Sequence, residues 1–170
     1  MLFRIFGLSL LLILVGCASN DKKVDSFDDL PPTAAGELAL SNHFWSGLGG
    51  KVVRNLTRNT LFPDSPTSIE TITGVDFMDS KGDKYGQRIT GLLNIETTGD
   101  YTFWVSADET AEVWLSSDNT PYNKKLIAFT NKPSGYLVWD RYKTQKSPLL
   151  TLQAGEQYFL EILHKEYTGT

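Results

Sequence analysis

The stretch "WVSADETAEVWLSS", Trp104 to Ser117, carries two adjacent acids, Asp108 and Glu109, between two runs of alternating apolar residues. Neighbouring carboxylates where a strand meets a loop suggest two chemistries. Calcium takes several hard oxygen ligands at about 2.3–2.6 Å, and acids supply them well. Successive side chains on an extended backbone point to opposite sides, however. Both acids reach one ion only where the backbone bends sharply; otherwise they cap a turn and face water. Spacing alone favours the solvated turn and leaves a calcium site open.

Other reactive sets are sparse. The chain has two histidines, His43 and His164, and one cysteine, Cys17. No His-x-x-x-His, Gly-x-Ser-x-Gly or Cys-x-x-Cys pattern occurs, so zinc chemistry and a serine nucleophile elbow have no support. His164 falls near a strand end and reads as structural. His43, in "SNHFW", marks the start of the domain, with Phe44 and Trp45 packing down. A glycosidase pair requires two acids about 5–9.5 Å apart across a cleft, and abundant acids alone do not supply one. Asp118, Asn119 and Asn123 share a loop but are ordinary turn formers. The chain is expected not to be an enzyme.

The elements that must position these residues are strands. Of 170 residues, 41% are hydrophobic and 21% charged, which suits one folded domain plus a tail. The net charge is -4, with no basic cluster for phosphate contacts, so nucleic acid is not an expected partner. From about Glu37, short β-rich runs alternate with turn clusters, as in an all-β sandwich or barrel. "KVVRNL", "SIETITGVDF", "RITGLLNIET", "YTFWVSA" and "AEVWLSS" are candidate strands, with "KLIAFT" and "GYLVW" as shorter ones. Ile89, Leu93 and Ile95 share a face, as do Tyr101, Phe103 and Val105, and Ala111, Val113 and Leu115. Thr98-Gly99-Asp100 predicts a hairpin turn. Ala154-Gly155-Glu156 predicts another, followed by Tyr158, Leu160, Ile162 and His164 on one face.

The N-terminus has a different character. "MLFRIFGLSLLLILVGC" sets Arg4 before an apolar run, the shape of a secretory signal and too short for a comfortable membrane span of about 20 residues. Leu14-Val15-Gly16-Cys17 resembles a bacterial lipobox. The resemblance implies cleavage after residue 16, fatty acylation (palmitate-type chains) on Cys17 and a protein tethered to the cell envelope. Each buried CH₂ contributes about 0.8 kcal/mol, so two or more chains anchor firmly. The residue after Cys17 is Ala18 and not Asp, which points to the outer membrane in a Gram-negative cell. Residues 17–36 read as a flexible linker stiffened by Pro31-Pro32, and residues 37–170 as the domain.

Within that domain, "YGQRITGLLNIETTGDYTFWVSADETAEVWLSSDNTPYNKKLIA" and "QKSPLLTLQAGEQYFLEILHKE" resemble a PA14 domain. The resemblance runs from about Phe44 to the end of the chain. It implies an antiparallel β-sandwich or barrel that binds carbohydrate or serves beside catalytic or adhesive domains. In the lectin-like members, two successive aspartates joined by a cis peptide hold calcium, which bridges sugar hydroxyls. Those positions fall on Asp108 and Glu109. Glutamate at the second moves the carboxylate outward by about 1.5 Å. Members usually continue past the point matched by Thr170, which implies a further strand and, without it, an exposed neighbouring edge. The expectation is therefore an envelope-anchored module that binds glycan or another extracellular polymer, with calcium as its cofactor. Trp104 and Trp114 are candidate stacking residues. The alternative is a spacer or protein-interaction module that serves a further domain or an envelope partner.

Overall fold

The computed structural model describes residues 11–17, 40–75, 82–135 and 137–168. Among the described residues nine strands form two antiparallel sheets: β1 (Leu11–Cys17), β2 (Leu40–Trp45), β3 (Ser68–Ile72), β4 (Tyr85–Asn94), β5 (Gly99–Ser106), β6 (Thr110–Leu115), β7 (Lys125–Thr130), β8 (Leu150–Leu152) and β9 (Gln157–Glu166). The larger sheet has the order β3-β2-β4-β9-β6-β7 and the smaller β1-β5-β8. The expected all-β sandwich is the observed fold. Among the described residues no helix is long and apolar enough to cross a membrane.

Alternation builds the core. Ile89 and Leu93 from β4, Val113 and Leu115 from β6, and Leu160 and Ile162 from β9 meet Phe103 and Val105 from β5. Phe103, Val105, Ile89, Val113 and Ile162 are fully buried. Period-2 patterning puts one face of each strand in this layer, as the sequence predicts. Tyr158 joins them and its hydroxyl accepts from the Gln153 amide at 3.0 Å.

The turns differ from expectation. β4 pairs with β2 and β9, while β5 pairs with β1 and β8, so residues 95–98 cross between sheets instead of closing a hairpin. The β8–β9 connection also crosses, because β8 joins β5 and β9 joins β4 and β6. The two crossings lie side by side: Gly155 N–H donates to Ile95 O at 2.8 Å and Ile95 N–H to Glu156 O at 3.2 Å. Gly155 uses its freedom at φ +81°. Gly99 is already part of β5.

"KVVRNL" is not a strand. Val53–Thr57 form a short helix, α1. The Asn55 side chain accepts from Val52 N–H at 3.1 Å, and the first helical donor, Val53 N–H, reaches Thr110 Oγ1 at 3.0 Å. Burial then fixes it: Val53 and Leu56 pack with Trp45, Leu48 and Leu163 on the outer face of the large sheet, away from the sandwich core. Gly86 lets α1 approach; a Cβ there would meet Leu56 Cδ1 at 2.8 Å. "GYLVW" is likewise no strand in its described residues.

Residues 18–36, read as linker, lie outside the described residues. Leu11–Cys17, read as part of a removed signal, lie antiparallel along β5, from Leu11 opposite Ser106 to Cys17 opposite Asp100. An extended segment laid along a β5 edge pairs its backbone there.

Candidate functional site

Asp108 and Glu109 form the step between β5 and β6, at the end of the sandwich where β4 begins and β9 ends. Glu109 takes φ +57°, a left-handed turn that glutamate adopts at a cost. The turn is held from both sides. Asp108 Oδ1 accepts from Glu109 N–H at 2.8 Å, and the Asp108 carbonyl accepts from His164 Nε2 at 3.0 Å. The next residue, Thr110, donates its hydroxyl to Lys51 O at 3.1 Å while accepting from Val53 N–H. This clasp brings the segment before α1 onto the acidic step.

The two acids therefore part ways. Asp108 is half-buried, but Glu109 is only 4% exposed, so the solvated-turn reading fails for Glu109. Its Oε1 meets the Lys51 ammonium at 3.1 Å. Lys51 itself is largely exposed and leans over the Tyr167 ring, 5.4 Å from its centroid, with Lys84 at 5.9 Å from the same ring.

Behind this pair lies a buried titratable cluster. His164 is buried beneath the turn, edge-on to Tyr85 at 5.7 Å, with Nδ1 3.3 Å from the Gln87 amide oxygen. Burial lowers its pKa to about 4, so it is neutral and donates Nε2–H to Asp108. Burial together with the charges of Glu166 and Asp108 raises the Tyr85 phenol. Lys165 has no exposed surface; desolvation lowers it to about 8 against the pull of Glu166 and Glu109. The Glu166 carboxylate is buried, and neither oxygen has a hydrogen-bond partner among the described residues. Desolvation, then Asp108 and Glu109, raise it to about 7.

The calcium geometry implied by the resemblance is not reproduced. The cis peptide among the described residues is Phe62–Pro63, and Asp108–Glu109 is not one. Glu109 is engaged by an ammonium, and no three His, Cys, Asp or Glu side chains among the described residues come together as a metal-binding group. Asp118, at the far end of the sandwich, organises its own turn. It accepts from Ser116 Oγ, Thr120 N–H, Thr120 Oγ1 and Asn123 Nδ2, and these bonds hold its pKa at about 2.

The sequence singles out Asp108, Glu109 and His164 at this end of the sandwich. It does not single out Lys51, Lys165 or Glu166. Lys51 lies 58 residues from Glu109. The one available signal was "LHKE" itself, where ionisable residues run on past a buried strand's apolar alternation. Trp104 lies beside Lys146, whose ammonium sits 5.3 Å from the ring centroid. Trp114 is half-buried, packs on the outer cluster around α1 and donates Nε1–H to Glu112 at 3.0 Å.

No family model matches the chain. It is similar to a segment of the Mus musculus N-acetyl-beta-glucosaminyl-glycoprotein 4-beta-N-acetylgalactosaminyltransferase 1, at 32% identity over 128 residues. It is also similar to segments of fibrocystin from Canis lupus familiaris, 27% identical over 95 residues, and of fibrocystin-L from Mus musculus, 29% over 86. These alignments cover 73%, 52% and 51% of the chain. They span 12% of the transferase and 2% of each fibrocystin. The similarity is thus to one module within much larger proteins.

Proposed function

We propose that the chain is a PA14-type, non-catalytic carbohydrate-binding module, tethered to the bacterial cell envelope through lipid on Cys17. The observation that supports it most is the match of 73% of the chain to a segment of a glycosyltransferase. That enzyme's name specifies a glycoprotein bearing β-N-acetylglucosaminyl groups. A segment that is 12% of such an enzyme suits a glycan-holding accessory. The ligand proposed is a glycan with terminal N-acetylhexosamine. The loop end around Asp108, Lys51 and Tyr167 would receive it: an aromatic ring for a sugar face beside charged groups for hydroxyls. Binding there uses no calcium, because the Lys51 ammonium already neutralises Glu109.

A glycan array, run with and without chelator, tests this reading. Glycans ending in N-acetylglucosamine should bind equally in both conditions, and Asp108→Ala should weaken them by about tenfold, the scale of one charged hydrogen bond. Chelator-sensitive binding would restore calcium to the site. Binding to no glycan would leave the spacer reading. The anchor has its own test: a palmitate analogue fed to expressing bacteria should label the protein, and Cys17→Ser should abolish the label.

A further inference from the structure

The outer face of the large sheet holds a concavity of about 230 Å³ that the Asp108 end does not share. Its floor is β9, where Glu161 and Leu163 point away from the sandwich core. Arg88 of β4, Trp114 of β6 and Lys124, just before β7, form the walls, and Phe62 leans in from the segment after α1. One side is therefore aromatic and the other charged.

The charged side is unusual for an outer sheet face. The Glu161 side chain is only 4% exposed and takes a cation on each oxygen. Arg88 Nε donates to Oε1 at 2.5 Å, and the Lys124 ammonium donates to Oε2. One carboxylate fixes two half-buried cations, so cations outnumber acids in the lining itself, while the Glu112 carboxylate stands outside it behind the Trp114 ring nitrogen. Arg88 spends one nitrogen on this bond; its two terminal nitrogens make no hydrogen bond among the described residues, and a guanidinium carries five N–H donors in a fixed fork. The Trp114 ring is locked as well, through Nε1–H to Glu112.

We infer that this concavity is a binding site for a single acidic sugar unit of the hexuronate type. The volume lies below the roughly 300–1,000 Å³ of sites for larger ligands, so one ring fits and an oligomer does not. A pyranose offers an apolar face to Trp114 and Phe62. Its carboxylate matches the surplus charge and the planar fork of Arg88. A small inorganic anion would leave the aromatic wall without a partner, and a neutral hydrophobe would strand the cations. The class, a sugar, rests on the carbohydrate reading above; the place and the acidity rest on this pocket alone.

Titration of the protein with methyl β-glucuronide, methyl β-glucoside and acetate, followed by calorimetry, tests the inference. The glucuronide should saturate one site with a dissociation constant on the order of 1 mM, the scale for so small a ligand. The glucoside and acetate should bind at least about tenfold more weakly, one fixed charge or one stacking face being lost in each case. Lys124→Gln, at a half-exposed position that leaves the core intact, should weaken the glucuronide by about tenfold. Trp114→Ala should do the same with the thermal transition retained. Asp108→Ala should change nothing here, and Trp114→Ala should leave N-acetylglucosamine glycans bound, so either reading can fail without the other. No saturable glucuronide binding, or equal binding of glucoside and glucuronide, overturns the assignment.

Discussion

Replacing Phe103 with alanine is expected to lower the unfolding free energy by about 3–5 kcal/mol. Phe103 is fully buried at the middle of β5 and packs against the inward residues of β4, β6 and β9. Its backbone is held as firmly as its ring: Phe103 N–H donates to Ser147 Oγ at 2.9 Å, and its carbonyl accepts from Ser147 N–H at 2.8 Å. The strand therefore cannot collapse into the void, and the cavity persists. Urea unfolding should show a lower midpoint with an unchanged slope. A loss below about 1 kcal/mol would mean that the two sheets are not packed through this residue.

The second large effect has the opposite sign. Glu166→Gln is expected to stabilise the chain by about 2 kcal/mol at pH 8 and by little at pH 4. The Glu166 pKa rises from 4.5 to about 7 on folding, chiefly through desolvation and then through Asp108, Glu109 and Asp83. A raised acid stabilises the folded state while protonated. Its contribution is fully present below pH 4.5, fades as the pH rises and is gone above about 7. Glutamine keeps the neutral shape at every pH. Part of the gain is returned, because Glu166 supports the desolvated Lys165 ammonium. His164 runs the other way: its folded pKa of about 4 against 6.5 means stability is lost as the pH falls through that interval. In the wild type the two slopes oppose each other between pH 4.5 and 6.5. Below about pH 8, where Lys165 begins to titrate, the variant should show the His164 slope alone, with stability climbing to pH 6.5 and then level. Equal stability of variant and wild type at pH 8 would contradict the account.

Strand faces were legible in the sequence because period 2 is local. Ala111, Val113 and Leu115 needed only their own alternation to be placed inward, and so did Tyr158, Leu160 and Ile162. Pairing was not legible. A Gly99 or Gly155 turn announces that the chain reverses, but not which sheet receives the next strand; both reversals here change sheet. Val52 and Val53 argue for a strand by propensity, yet Asn55 caps them into α1 and the outer face of the sheet rewards burial of Val53 and Leu56. The candidate site shows the same limit. Asp108 and Glu109 were visible as an acidic step, whereas the Lys51 contact that buries one of them comes from a segment brought over by the Thr110 clasp. The pocket before Trp114 draws on β4, β6, β9 and two loops, and no window of sequence contains it.

We propose that this module holds a sugar without a metal. Calorimetric titration of the protein with a glycopeptide ending in β-N-acetylglucosamine, in excess chelator, tests it most directly. The expected result is a saturable single-site isotherm that is unchanged when calcium replaces the chelator. A flat isotherm with chelator, and a saturable one only in calcium, would contradict it.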